Sequence, residues 1–137
     1  MRDIVFKKND RVVELYCGDG SFINSLGSET NKIEYLGIDT SNDALKMAAN
    51  WYASDSVEFK IGDPRNTGLP DSCADCVIIH VCRIPPKSYD EIADEIVRVI
   101  KPDGKVINLF HGSECFSLEF PLSQSHLSLR GNRPLTH

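Results

Sequence analysis

The chain has 137 residues, of which 41% are hydrophobic and 26% charged, room for one packed domain and too little for two ordinary ones. A net charge of −5 gives no global attraction to nucleic acid or to an anionic membrane, and no apolar run approaches the roughly 20 residues of a membrane span. No signal-peptide apolar segment follows Met1-Arg2-Asp3-Ile4, so the expected address is the cytoplasm.

Residues 1–10 are charged and lead as a turn into a first strand, Arg11 to Tyr16. After a glycine turn, Ser21 to Leu26 is predicted to form a helix with Phe22, Ile23 and Leu26 inward and Gly27 as its stop. Lys32 to Ile38 reads as a second strand ending at Asp39. Ser41 suits a helix N-cap with Asp43 in the first turn, and Leu45, Ala48, Ala49 and Tyr52 then recur at helical spacing. Ser56 to Ile61 alternates as a third strand and stops at Gly62-Asp63-Pro64. Cys76 to Val81 reads as a fourth strand, covered on both faces.

Ser88-Tyr89-Asp90-Glu91 has the spacing of a capping box, and Ile92, Ile96, Val99 and Ile100 form an apolar stripe behind it. Lys101-Pro102-Asp103-Gly104 is the expected end of that helix, and Lys105 to Phe110 a fifth strand. Strands alternating with helices over so short a chain predict an α/β fold, a doubly wound and mainly parallel sheet of about five strands with helices on both faces. Cys115 to Phe120 and His126 to Leu129 are candidate short strands with no helix before them, which allows a C-terminal hairpin. Gly131 to His137 read as loose.

Five cysteines (17, 73, 76, 82 and 115) read as reduced thiols in a cytoplasmic chain. Cys73 and Cys76 have C-x-x-C spacing, with His80 and Cys82 beyond. On a strand, however, Cys76 and Cys82 would stand about 20 Å apart at roughly 3.3 Å per residue, whereas zinc needs its ligands within about 2.3 Å of one point. No metal site is expected.

The chemistry concentrates in Val12-Val13-Glu14-Leu15-Tyr16-Cys17-Gly18-Asp19-Gly20-Ser21-Phe22. An apolar strand ends in an acid and passes through glycines into a helix start. Such a turn lets the backbone approach a phosphate-sized or zwitterionic ligand and present free N–H groups to it. Two cofactors use it, a dinucleotide and S-adenosylmethionine. The dinucleotide fingerprint requires a third glycine where this chain has Ile23, at a point of close helix–strand packing. Asp39 follows Gly20 by nineteen residues, which suits a carboxylate accepting from both ribose hydroxyls. Its plainer alternative is an N-cap carboxylate on the following helix.

With these motifs in order, residues 10–110 resemble the class I S-adenosylmethionine-dependent methyltransferases, a Rossmann-like family. Residues 111–137 are expected to be an atypical C-terminal extension of a single domain, 1–137. The family's first motif corresponds to Glu14-Leu15-Tyr16-Cys17-Gly18-Asp19-Gly20, with Tyr16 where the first glycine usually stands. The second is Gly37-Ile38-Asp39, the third Gly62-Asp63, and the fourth the strand that opens with Asp75. Val99 to Val106 resembles the junction into the fifth strand. Leu15-Tyr16-Cys17-Gly18 also occurs in uridine-C5 RNA methyltransferases, but Ile84-Pro85-Pro86-Lys87 does not reproduce their Asp-Pro-Pro-Arg, so no RNA substrate is carried over.

The resemblance implies S-adenosyl-L-methionine as cofactor, S-adenosyl-L-homocysteine as product, and binding by Glu14, Tyr16, Cys17, Gly18, Gly20, Asp39, Thr40, Gly62, Asp63 and His80. Glu14 would face the amino-acid end of the cofactor, directly or through backbone and water, or else be a strand-end carboxylate paired with a lysine. Asp63 would accept from the adenine amino group, or else be a turn residue before Pro64, which lacks the N–H that commonly meets an adenine nitrogen. Thr40 stands where an apolar residue often stacks on adenine. Tyr16 would narrow the turn or cover the methionine end, or else be a packed strand-end aromatic. His80 is the catalytic candidate, as base or orienter, against a histidine hydrogen-bonded within the sheet. Arg83 would bind an anionic substrate group or be solvated. The leading expectation is a methyltransferase acting by in-line transfer on an unidentified acceptor. The alternative is a non-catalytic S-adenosylmethionine-binding or regulatory module. An exposed fifth-strand edge would invite a homodimer or a partner subunit.

Overall fold

The structure is a computed structural model that describes residues 5–110 and 114–118. One six-stranded sheet carries it. Its strands are β1 (Arg11–Leu15), β2 (Glu34–Asp39), β3 (Val57–Ile61), β4 (Ala74–Ile79), β5 (Ile100–Phe110) and β6 (Glu114–Leu118). The order across the sheet is β3-β2-β1-β4-β5-β6. The first five run parallel and β6 is antiparallel to β5. The helices are α1 (Ser21–Leu26), α2 (Asn42–Tyr52) and α3 (Tyr89–Val99). The winding reverses between β1 and β4, and in open α/β sheets ligands lie beyond the strand ends at that reversal.

The two central strands are apolar along nearly their whole length because both their faces are covered. On one face Val13, Leu15, Ile38, Val77, Ile79 and Val106 pack against Ile92, Ala93, Ile96 and Val99 of α3. On the other, Val12, Tyr35, Cys76, Ile78 and Ile107 pack with Phe22 and Ile23 of α1, and Tyr52 of α2 adds to this layer. Helices therefore flank both faces, as expected.

Several local expectations need correction. The fourth strand ends at Ile79 rather than Val81, because His80 opens a 3₁₀ turn over Val81–Arg83. Ala49 is exposed, and the buried residues of α2 are Leu45 and Ala48. Ser41 does cap α2, its side chain accepting from the Ala44 N–H at 3.2 Å. Ser88 and Glu91 form no capping box. Ser88 closes a second 3₁₀ turn, Pro86–Ser88, with ψ near 0° and no capping hydrogen bond from its side chain. A reciprocal box needs an extended N-cap residue, and the preceding turn has removed that conformation.

The fifth strand begins at Ile100, directly after α3, instead of at Lys105. Ala74 faces Ile100 while Cys76 faces Lys105, so the residues between bulge out of register. Pro102 is tolerated there because the ladder is already interrupted. Gly104 is required by the close approach: a Cβ would stand 2.7 Å from Ile100 and 3.0 Å from the Asp75 carbonyl.

β6 covers β5 from Val106 to Phe110, so the partner expected on the fifth-strand edge meets an occupied edge over that length. The second candidate strand, His126 to Leu129, lies outside the described residues. No helix among the described residues is long and apolar enough to cross a membrane.

Candidate functional site

The glycine turn joins β1 to α1 at the winding reversal. Tyr16, Gly18 and Gly20 take left-handed φ values of 63°, 60° and 92°. Gly20 has a second constraint, since a Cβ there would stand 2.7 Å from the Tyr52 ring. The N–H groups of Tyr16 and Cys17 both donate to the Ile38 carbonyl, at 2.8 and 3.2 Å, and that of Gly20 donates to the Cys17 carbonyl at 3.3 Å. The Gly18 N–H donates to Asp39 Oδ2 at 2.7 Å. These donors were expected to face a ligand, and they are instead spent on holding the turn against β2.

Asp39 is the hinge of this arrangement. Besides Gly18, it accepts from the Ser41 N–H through Oδ1 at 3.0 Å. Ser41, not Asp39, supplies the cap of α2. Each Asp39 oxygen has one such partner, which leaves a lone pair on each.

Below the turn lies a buried polar line. Glu14 is fully buried, with 0% exposure, and it does not reach the surface for a direct contact. The Tyr35 hydroxyl donates to its Oε1 at 2.5 Å, and His80 Nε2 stands 2.5 Å from its Oε2. No lysine pairs with it among the described residues. Glu14 sits opposite Gly37 in the β1–β2 register. A Cβ on Gly37 would stand 2.7 Å from the Tyr35 hydroxyl and 2.8 Å from Cys17 Sγ, so the glycine makes room for the phenol to cross to Glu14. Burial, and then the negative charge of Glu14, hold the Tyr35 phenol well above its ordinary pKa. Burial likewise pushes the Cys17 thiol up, which makes it an inert packing group.

Beyond the strand ends opens a cleft of about 630 Å³, lined by Tyr16, Thr40, Ile61, Gly62, Asp63, Arg65, Pro85, Lys87 and Ser88. Four of the ten expected binding residues line it: Tyr16, Thr40, Gly62 and Asp63. Glu14, Cys17 and His80 lie beneath it, buried. Tyr16 has its phenol pKa raised, by burial first and by Asp63 second.

Asp63 is held by its neighbour. It accepts from the Arg65 N–H at 2.9 Å and from the guanidinium at 2.9 to 3.2 Å. These bonds keep its carboxyl below the ordinary range.

Ile61 was not anticipated as a site residue. It is 55% exposed on the cleft wall, an apolar surface beside the carboxylate of Asp63. Its signal was the parity of β3, which puts the strand's last apolar residue at the mouth. Among the described residues no group of three His, Cys, Asp or Glu side chains gathers as metal ligands would.

Comparison with known proteins fits this geometry. A family profile described as a methyltransferase domain matches residues 12–104, most of the chain. The chain belongs to the methyltransferase-domain family. A fatty-acid O-methyltransferase of Mycolicibacterium smegmatis is 27% identical over 95 residues, covering 69% of this chain and 34% of that protein. A solved protein of Pyrococcus horikoshii OT3 is 34% identical with a TM-score of 0.65, covering 75% of this chain and 50% of its own. Phosphoethanolamine N-methyltransferase 2 of Haemonchus contortus, solved with S-adenosyl-L-methionine, shares the fold at 22% identity and a TM-score of 0.66, over 76% of this chain and 25% of its own. The chain thus spans from a quarter to a half of the length of these proteins.

The site residues fit the cofactor of the family in kind. The cleft offers an apolar wall at Ile61 with a hydroxyl at Thr40, and Asp39 beside it keeps acceptor capacity. The Tyr52 ring leaves no room for a side chain at Gly20, and Gly18 needs its left-handed φ.

Proposed function

We propose that this chain binds S-adenosyl-L-methionine and forms the catalytic core of a methyltransferase acting on a small acceptor. The observation that carries the reading is the junction of the glycine turn with Asp39, where Gly18 and Ser41 each take one carboxylate oxygen. That carboxylate is thereby fixed at the mouth of the turn with lone pairs left for two ribose hydroxyls.

The remaining roles follow from position. Ile61 is the apolar face for the adenine ring, with Thr40 and Gly62 bounding it. Asp63 accepts from the adenine amino group, its orientation fixed by Arg65. Pro64 contributes no N–H, so adenine recognition rests on that carboxylate and on stacking. Tyr16 covers the methionine end, and Cys17, Gly18 and Gly20 shape the turn. Glu14 acts from below, through Tyr35 and His80 rather than by touching the ligand.

Bound S-adenosyl-L-methionine supplies a methyl group activated by the positive charge on sulfur. The chain's part is alignment, which is where most of the barrier in such a transfer is met. Glu14 Oε2, 2.5 Å from His80 Nε2, fixes the orientation of the imidazole from below. His80, 3% exposed and absent from the cleft wall, is therefore the candidate orienter rather than a base that touches the acceptor. The acceptor enters past Pro85, Lys87 and Ser88, which line the cleft together with Thr40.

Calorimetric titration tests the reading. S-adenosylmethionine and S-adenosylhomocysteine are expected to bind, and Asp39→Ala to weaken both by about tenfold or more, roughly the 1.4 kcal/mol or more of charged hydrogen bonds to the ribose. No heat from either ligand at millimolar concentration, with the protein folded by circular dichroism, sinks the assignment.

A further inference from the structure

Arg83 closes the 3₁₀ turn after β4, and its side chain reaches back across the winding reversal to the glycine turn. Its Nη1 donates to the Tyr16 carbonyl at 2.7 Å. The same nitrogen stands 3.0 Å from where a Cβ on Gly18 would be, with Nη2 at 3.9 Å. A flat cation thus lies over the glycine whose N–H Asp39 holds.

This arginine differs from its counterparts. Arg65 is paired with Asp63 and Glu91, and Arg98 with Glu95 and Asp71. Arg83 is exposed and forms no ion pair with a described residue; the only hydrogen bond its side chain makes among them goes to a neutral carbonyl. A guanidinium has five N–H donors in a planar fork. With Nη1 anchored, donors remain on Nη1, Nη2 and Nε, the arrangement that takes a carboxylate.

We infer that Arg83 binds the carboxylate at the amino-acid end of the methyl donor. This rests on the cofactor reading above. The charges favour it: a ligand with a cationic sulfur and an ammonium group gains nothing from a guanidinium that no carboxylate pairs directly, unless its own carboxylate meets that guanidinium. The carboxylate is the ligand's one anionic group, and seating it on Arg83 supplies that pairing. An anionic group on the acceptor is the other source of such chemistry. Arg83, however, is anchored to the turn and does not line the cleft wall formed by Pro85, Lys87 and Ser88. Gly18 is required there by its left-handed φ of 60°, and a Cβ would in addition crowd the guanidinium at 3.0 Å.

The test compares S-adenosylhomocysteine with its decarboxylated analogue, which keeps the adenosine, the thioether and the amine. Calorimetry of the full chain and of Arg83→Gln is expected to show S-adenosylhomocysteine weakened about tenfold or more, with the analogue within about twofold of its value for the unchanged chain. Arg83→Lys should recover part of the loss, since the charge remains and the fork does not. Equal weakening of both ligands would make Arg83 only a brace on the Tyr16 carbonyl and overturns the inference. So does unchanged binding of both. If neither ligand binds the unchanged chain, the cofactor reading fails together with this one, an outcome distinct from the others.

Discussion

Tyr35 shows how one hydroxyl can hold a site together from a distance. Its oxygen satisfies Glu14 Oε1 in a place with no exposure, while His80 satisfies the other oxygen. Removing the hydroxyl leaves a fully buried carboxylate oxygen short of a donor, and an unmet buried acceptor costs about 1–3 kcal/mol. Tyr35→Phe is therefore expected to lower the stability by that amount in urea denaturation, with the slope unchanged. A variant as stable as the parent would mean that the phenol is not what Glu14 relies on. The motif positions of this site, Glu14, Gly18, Gly20 and Asp39, were legible in the sequence because each follows from a strand end or a forced backbone conformation. Tyr35 was not, although it is two residues before Gly37 and so on its face of β2. Nothing in periodicity says that a phenol will fold across a glycine to a carboxylate on the next strand. The donors of Tyr16 and Cys17 were misjudged for a related reason. Their N–H groups look free in one dimension and are claimed by the Ile38 carbonyl in three.

At the scale of elements, the long connection between β3 and β4 is fastened to α3 chiefly through the buried carboxylate of Glu95. Glu95 Oε2 accepts from the Thr67 N–H at 2.8 Å and the Thr67 hydroxyl at 2.7 Å. Arg98 donates to both Glu95 oxygens, at 2.9 and 2.8 Å, and its other arm reaches Asp71 at 2.7 Å. The hydrogen bonds from Arg98, then those from Thr67, lower the Glu95 carboxyl to about 2. An acid whose pKa is depressed on folding stabilises the protein fully above its unfolded value, near 4.3, and loses that contribution as pH falls toward the folded value. Stability should therefore decline from about pH 4.5 toward pH 2. Glu95→Gln should cost about 1–3 kcal/mol at neutral pH and flatten the acid limb of the profile. Urea midpoints at pH 6 and pH 3 check this, and parallel losses in both proteins would remove Glu95 from the account. Helix α3 itself was legible from Ile92, Ile96 and Val99. Its entry and exit were not, because the 3₁₀ turn at Pro86–Ser88 and the register shift opposite Asp75 are settled by contacts distant in sequence.

For the molecule as a whole, the strand order decides where it is firm and where a second chain can join. β1 and β4 are paired on both sides and covered on both faces, so their amides open only with global unfolding. Among the described residues β3 is paired on one side, with β2 alone, and it is short, with Glu58 and Lys60 between its apolar residues. Charged, short edges resist pairing with another chain. Among the described residues β6 pairs only with β5, so β3 and β6 are the two edges of the described sheet at which a partner would add. Hydrogen exchange followed by mass spectrometry reads this directly. Amides of Val12–Leu15 and Val77–Ile79 are expected to exchange about tenfold or more slowly than those of Val57–Ile61. The β3 amides should exchange at the same rate in dilute and concentrated samples. Protection of β3 equal to that of β1, or rising with protein concentration, would show that this edge is taken by a second copy. That outcome would also put the neighbour beside Ile61 and Asp63, at the mouth of the cleft. Concentration dependence at β6 alone would leave the cleft open and move the interface to the far side of the sheet.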